Sequence, residues 1–111
     1  MYYKLLNKLV VPAIDVTDWG EWLQHHYEDR IIKQEVIKGI LVSTVFIGLD
    51  HRIPITGNEP PLVFETMIFP NFHSTKKYKM IESYCTRCST WDEAIEMHNT
   101  AMDYVKAELK T

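Results

Sequence analysis

Polar side chains that interrupt apolar runs are the first places to look for chemistry. A charge buried there without a partner costs on the order of several kcal/mol or is forced to neutralise. Glu65 is one such residue, breaking the run Leu62-Val63-Phe64-Glu65-Thr66-Met67-Ile68-Phe69. It reads either as a strand carboxylate that reaches an arginine or backbone amides, or as a buried acceptor that grips a ligand's hydroxyl or base edge. His98 is another, on the apolar stripe of the last helical segment. A helix laid across a sheet would bring it towards Glu65 or Arg87, and the same position also suits a core histidine satisfied locally. Asp50-His51 ends the most β-prone run of the chain. Strand ends hold side chains rigidly at the mouth of a pocket, which suits binding or proton transfer. The plainer reading is an aspartate that turns the chain beside a solvated histidine. In the basic loop Ser74-Thr75-Lys76-Lys77-Tyr78-Lys79, Lys77 and Tyr78 offer a phosphate clasp with a stacking surface, or simply a solvated loop.

Other motifs carry less. Cys85-Thr86-Arg87-Cys88 has no second cysteine pair, and a three-residue offset on a strand sends the two thiols to opposite faces. A zinc site drawing on His51 or His73 is therefore not expected. His25 and His26 are adjacent and cannot share a helix face. Ser43, Asp50 and His51 are triad residue types, but strand spacing keeps them from forming a relay by themselves. There is no Gly-rich phosphate loop. The expected ligand-binding set is thus Asp50, His51, Glu65, Arg87, His98, Lys77 and Tyr78, with no catalytic set, metal or cofactor.

These residues need elements to position them. Tyr2 to Val11, ending at Pro12, reads as one short edge strand. A helix follows from about Asp18 to Asp29, capped by Thr17 or Asp18 with Glu21 completing a capping box, and weakened by Gly20. Ile31 to Ile37, a Lys38-Gly39 turn and the run Ile40 to Leu49 predict a hairpin. A Pro-bearing loop from Asp50 to Pro61, a strand from Leu62 to Phe69 and a last strand from Glu82 to Cys88 complete an antiparallel meander. The C-terminal helix is capped by Thr90, with Glu93 reaching back to the cap's amide. Its stripe is Trp91, Ala94, Ile95, His98, Met102, Val105 and Leu109. The fold expected is α+β: about four antiparallel strands, an N-terminal helix, and a C-terminal amphipathic helix on the sheet. Both central strands are apolar on both faces, so the second face needs a cover: either one helix per face or a partner subunit, of which a homodimer or higher homo-oligomer is the simpler expectation.

Composition bounds the rest. The 111 residues make one domain, 1–111. With 46% hydrophobic and 12% aromatic residues, four Gly and five Pro, the chain supports a packed core, which excludes disorder and collagen-like structure. A net charge of −3 argues against coating duplex nucleic acid. No apolar run approaches the roughly 20 residues that span a bilayer. The first residues lack the apolar stretch and cleavage site of a signal peptide, so the expected location is the cytoplasm.

Three blocks in order, Val42-Ser43-Thr44-Val45-Phe46-Ile47-Gly48-Leu49-Asp50-His51, Pro61 to Phe69, and Arg87-Cys88-Ser89-Thr90-Trp91-Asp92-Glu93-Ala94 with His98, resemble a family of small proteins. That family is found in bacteriophage and prophage genomes and in bacteria. The likeness covers most of Val42 to His98, with Cys88 standing where an aromatic is usual. It implies that Ser43, Thr44, Asp50, His51, Glu65, Thr66, Arg87, Thr90 and His98 form a polar signature. It gives genome context rather than an activity. In that context a non-enzymatic protein that sequesters a nucleotide immune signal, cyclic or derived from ADP-ribose, is the first expectation. A protein-interaction module that blocks a host protein is the alternative. A small hydrolase or nuclease built on Asp50, His51, Glu65 and His98 is a third.

Overall fold

The computed structural model describes residues 1–52, 59–73 and 84–110. Eight elements occur among them: β1 (Tyr3–Leu6), β2 (Leu9–Pro12), α1 (Val16–His25), β3 (Ile31–Ile37), β4 (Ile40–Phe46), β5 (Phe64–Phe69), β6 (Cys85–Cys88) and α2 (Trp91–Leu109). Strands β3, β4, β5 and β6 form one sheet in that order, each pair antiparallel. The fold is α+β, with the expected meander and with α2 packed on the sheet.

The N-terminus departs from expectation. Tyr2 to Val11 is not one strand but the hairpin β1–β2. Asn7 and Lys8 take φ values of 50° and 69°, the left-handed pair that a two-residue type I′ turn requires. Asparagine tolerates that region. Lys8 is there too, with its ammonium 5.3 Å from the centre of the Trp91 ring.

Helix α1 also starts earlier than expected. Asp15 is the cap, accepting the Asp18 amide at 2.9 Å, so neither Thr17 nor Asp18 fills that role. Asp18 instead accepts the Ile14 amide at 2.9 Å and meets the Lys4 ammonium at 3.0 Å, which ties the helix to β1. The helix closes at His25, short of Asp29. The chain leaves helical geometry at His26, whose backbone amide donates to Trp22.

The Lys38-Gly39 turn is as expected, with φ values of 50° and 83°. Strand β4 stops at Phe46 rather than Leu49 because Gly48 takes φ +68°. A Cβ there would sit 2.6 Å from both Trp19 Nε1 and the Tyr3 carbonyl oxygen, so only glycine fits. The Thr90 hydroxyl caps α2 by accepting the Glu93 amide at 3.1 Å. It also donates to the Glu93 carboxylate at 3.0 Å, so the return contact goes to the hydroxyl rather than the cap's amide.

Two apolar clusters hold α2 to the sheet. Ile40, Val42 and Ile68 pack with Ala101, Met102 and Val105. Phe46, Val63, Phe64 and Ala94 form the other, joined by Tyr3, Leu5 and Val10 of the hairpin, Trp22 of α1 and Trp91. Each large side chain buried this way contributes roughly 1.5–3 kcal/mol. The hairpin and α1 therefore extend the α2 layer at its Phe46–Phe64 end. No described element lies on the opposite face of the sheet. Among the described residues, no helix is long and apolar enough to cross a membrane.

Candidate functional site

Strand alternation sorts the polar residues onto two faces. Ile40, Val42, Thr44 and Phe46 of β4, with Phe64, Thr66 and Ile68 of β5, point into the α2 layer. Leu41, Ser43 and Val45, with Glu65, Met67 and Phe69, alternate with them and form the open face.

On the α2 side a polar row separates the two apolar clusters. The Thr44 and Thr66 hydroxyls, paired across β4 and β5, are 2.5 Å apart. His98 Nδ1 lies 2.7 Å from Thr44 Oγ1, and His98 Nε2 lies 2.8 Å from Glu35 Oε1. A carboxylate only accepts, so Nε2 carries the proton. With the ring neutral, Nδ1 accepts the Thr44 hydroxyl and Thr44 accepts the Thr66 hydroxyl. The His98 bond, helped by Lys33 3.3 Å away and opposed by burial, holds the Glu35 carboxyl below the ordinary carboxylate range. Thr86 faces Thr66 in register, and its buried hydroxyl has no hydrogen-bond partner among the described residues.

Hydroxyl, imidazole and carboxylate in that order are the parts of a nucleophilic relay. Here Thr44, Thr66 and His98 are each 0% exposed, so no substrate reaches the hydroxyl. Thr44, Thr66 and His98 satisfy one another's buried polar atoms, leaving only the Thr86 hydroxyl unpartnered among the described residues, and so fix how α2 sits on the sheet.

The open side holds the other carboxylate. Glu65 accepts from Arg87 Nε at 3.0 Å and from Nη2 at 2.9 Å, across the β5–β6 pair. Glu65 thus takes the arginine reading. His98 is not brought towards either residue, because it approaches from the opposite face and meets Glu35 instead. On the same open side, the Gln34 amide donates to Ser43 Oγ at 2.9 Å.

Asp50 is a clamp. Its carboxylate accepts from Arg52 N at 3.0 Å, Arg52 Nε at 3.2 Å, Arg52 Nη2 at 3.0 Å and Leu62 N at 3.0 Å. Arg52 also donates to the Pro60 carbonyl at 2.7 Å, so the two residues pin the ends of the loop together. The Arg52 guanidinium holds the Asp50 carboxyl far below the usual carboxylate range. His51 beside it is exposed. Lys77 and Tyr78 lie outside the described residues. The structure therefore joins Glu65 to Arg87 but gathers neither Asp50 nor His98 with them.

The cysteines part as the spacing predicts. Cys85 is exposed, while Cys88 packs into the Phe46–Phe64 cluster. Burial, with Glu93 adding to it, pushes the Cys88 thiol up to about 11. Burial also raises the Cys85 thiol, with Glu65 reinforcing it. No group of three His, Cys, Asp or Glu side chains suited to a metal ion occurs among the described residues. Sequence reasoning missed Glu35 and the joining of Thr44 and Thr66 to His98. A signal was present. Both threonines interrupt otherwise apolar inward positions, and His98 interrupts the facing stripe midway along α2.

Compared with protein-family models, curated proteins and solved structures, the chain finds no match in any of the three.

Proposed function

We propose that the chain is a non-enzymatic binding protein of the cytoplasm, acting as a homo-oligomer, whose working surface is the open face of the four-stranded sheet. One observation carries this reading. Val45 and Met67 flank Glu65 of the Glu65–Arg87 pair, and Leu41 and Phe69 continue the same face, which no described element covers; Phe69 is 40% exposed. Apolar area around a neutral ion pair, left open to water, is the composition of an interaction surface. In the histidine–carboxylate pair on the opposite side, His98 and the Thr44 hydroxyl it meets are fully buried, and only the Glu35 carboxylate reaches the surface.

A sheet face is broad, whereas small polar ligands are usually held in concave sites. A protein partner is therefore the class that this geometry fits first, in keeping with a module that blocks a host protein. Sequestration of a nucleotide signal is the second reading. It draws on Arg87, whose guanidinium lies on the same face beside apolar surface fit for stacking.

Native mass spectrometry of the purified protein, with analysis of what denaturation releases, separates the two. A nucleotide of defined mass in the complex supports sequestration, and a stoichiometric protein companion supports the interaction module. An empty protein that binds neither cyclic nor ADP-ribose-derived nucleotides in calorimetry and retains no host protein would overturn the binding reading. Turnover of any of those nucleotides would overturn its non-enzymatic part.

A further inference from the structure

Strand β3 is an edge of the sheet, and among the described residues β4 is its only neighbour. The two-residue Lys38-Gly39 turn closes the β3–β4 hairpin on the pair Ile37–Ile40. In such a hairpin the closing pair exchanges backbone hydrogen bonds and the pairs then alternate. Ile37, Glu35 and Lys33 therefore turn their backbone groups to β4, and Gln34 and Val36 turn theirs away from it. Val36 is 52% exposed. This edge can add a strand, and its sequence says which one.

We infer that β3 pairs antiparallel with β3 of a second copy, about a two-fold axis at Gln34. The segment Ile32-Lys33-Gln34-Glu35-Val36 is self-complementary when reversed on itself. Gln34 meets its twin as a hydrogen-bonded pair, using the backbone groups that point outward. Lys33 then stands opposite the partner's Glu35, and Glu35 opposite the partner's Lys33. Both are non-hydrogen-bonded pairs, in which side chains approach most closely. Val36 stands opposite the partner's Ile32 in backbone register only, because the bulge turns the Ile32 side chain into its own Phe46–Phe64 cluster, so the side-chain matching rests on Lys33 and Glu35. Opposite charges placed this way stabilise a sheet, and like charges destabilise it. The neighbouring two-fold registers set Glu35 against Glu35 or Lys33 against Lys33, so charge selects the register about Gln34.

A lone lysine on an edge ordinarily repels an added strand. Here it is matched by Glu35 two residues on. That carboxylate is already oriented by His98 at 2.8 Å and by Lys33 of its own chain at 3.3 Å. The irregularity between Ile31 and Lys33 bends the strand beyond this point and confines the ribbon to a few residues. Joined so, two sheets become one of eight strands with both α2 helices on one face. The two open faces lie side by side on the other, doubling the surface assigned above while leaving it free.

Sedimentation equilibrium and amide hydrogen exchange followed by NMR test the pairing on the intact chain. The expected result is a dimer in which the Gln34 and Val36 amides are protected from exchange. Lys33→Glu, which sets two carboxylates against each other at both symmetric positions, should weaken the dimer at least tenfold. Gln34→Pro should do the same, beyond the effect of Gln34→Ala, which likewise loses the side-chain bond to Ser43, because proline alone deletes the backbone donor that the chain's own sheet does not use. Phe69→Glu, on the open face, should leave the dimer intact. A monomer at millimolar concentration would overturn the inference. So would a dimer with freely exchanging Gln34 and Val36 amides that Phe69→Glu dissociates. An edge dimer that binds nothing on its open face would instead count against the binding reading alone.

Discussion

His98 is the residue on which two layers meet. Its two ring nitrogens reach Thr44 and Glu35, so α2 is tied at one point to both β4 and β3. Thr44→Val keeps the shape but leaves His98 Nδ1 and the Thr66 hydroxyl without their partner in a dry layer. It should cost about 1–3 kcal/mol in urea unfolding. If the row is structural, the same variant should leave binding on the open face unchanged. The carboxylates add a pH dependence. Glu35, Asp18 and Asp50 are all held below their ordinary values of 4.5, 3.8 and 3.8. A carboxyl with a depressed folded-state pKa contributes its stability above the ordinary value and loses it as pH falls through the depressed one. Urea midpoints should therefore be level from pH 7 to about 5 and fall steadily below about pH 4. Asp50→Asn should shallow that acid limb, and an unchanged limb would show that the clamp contributes nothing to it.

At the scale of elements, the most exacting position is Gly48. Its φ of +68° and the 2.6 Å approaches of Trp19 Nε1 and the Tyr3 carbonyl leave no room for a methyl group. Gly48→Ala must move the hairpin and α1 off the end of the sheet or distort the end of β4. Thermal unfolding should show a loss of about 2 kcal/mol or more, against a gain of up to about 1 kcal/mol for Gly20→Ala, inside α1, where nothing lies within 4 Å of the added carbon.

The elements differ in how openly the sequence announced them. The β3–β4 hairpin and α2 were legible because a turn dipeptide, a cap and a long periodic stripe each carry their own signal. The β1–β2 hairpin was not, because Asn7-Lys8 lacks the glycine that usually marks such a turn. The Glu65–Arg87 pair could be anticipated from one carboxylate in an apolar strand. Glu35 could not, since Lys33, Gln34 and Glu35 read as an ordinary solvated stretch until the register and α2 place His98 over them.

On the scale of the whole molecule, asymmetry is the main feature. The α2 layer, the hairpin and α1 all serve one face of the sheet, while the other, which no described element covers, carries apolar side chains and the Glu65–Arg87 ion pair. In the proposed reading the buried polar groups serve stability and the open face serves recognition. The most direct test is site-specific photo-crosslinking in bacterial cells. One variant carries a photoreactive phenylalanine analogue at Phe69 on the open face, and another carries it at Asn99 on the exposed side of α2. Discrete adducts from position 69 and none from position 99 are the predicted result. Equal adducts from both positions, or adducts from position 99 alone, would contradict the open face as the binding surface.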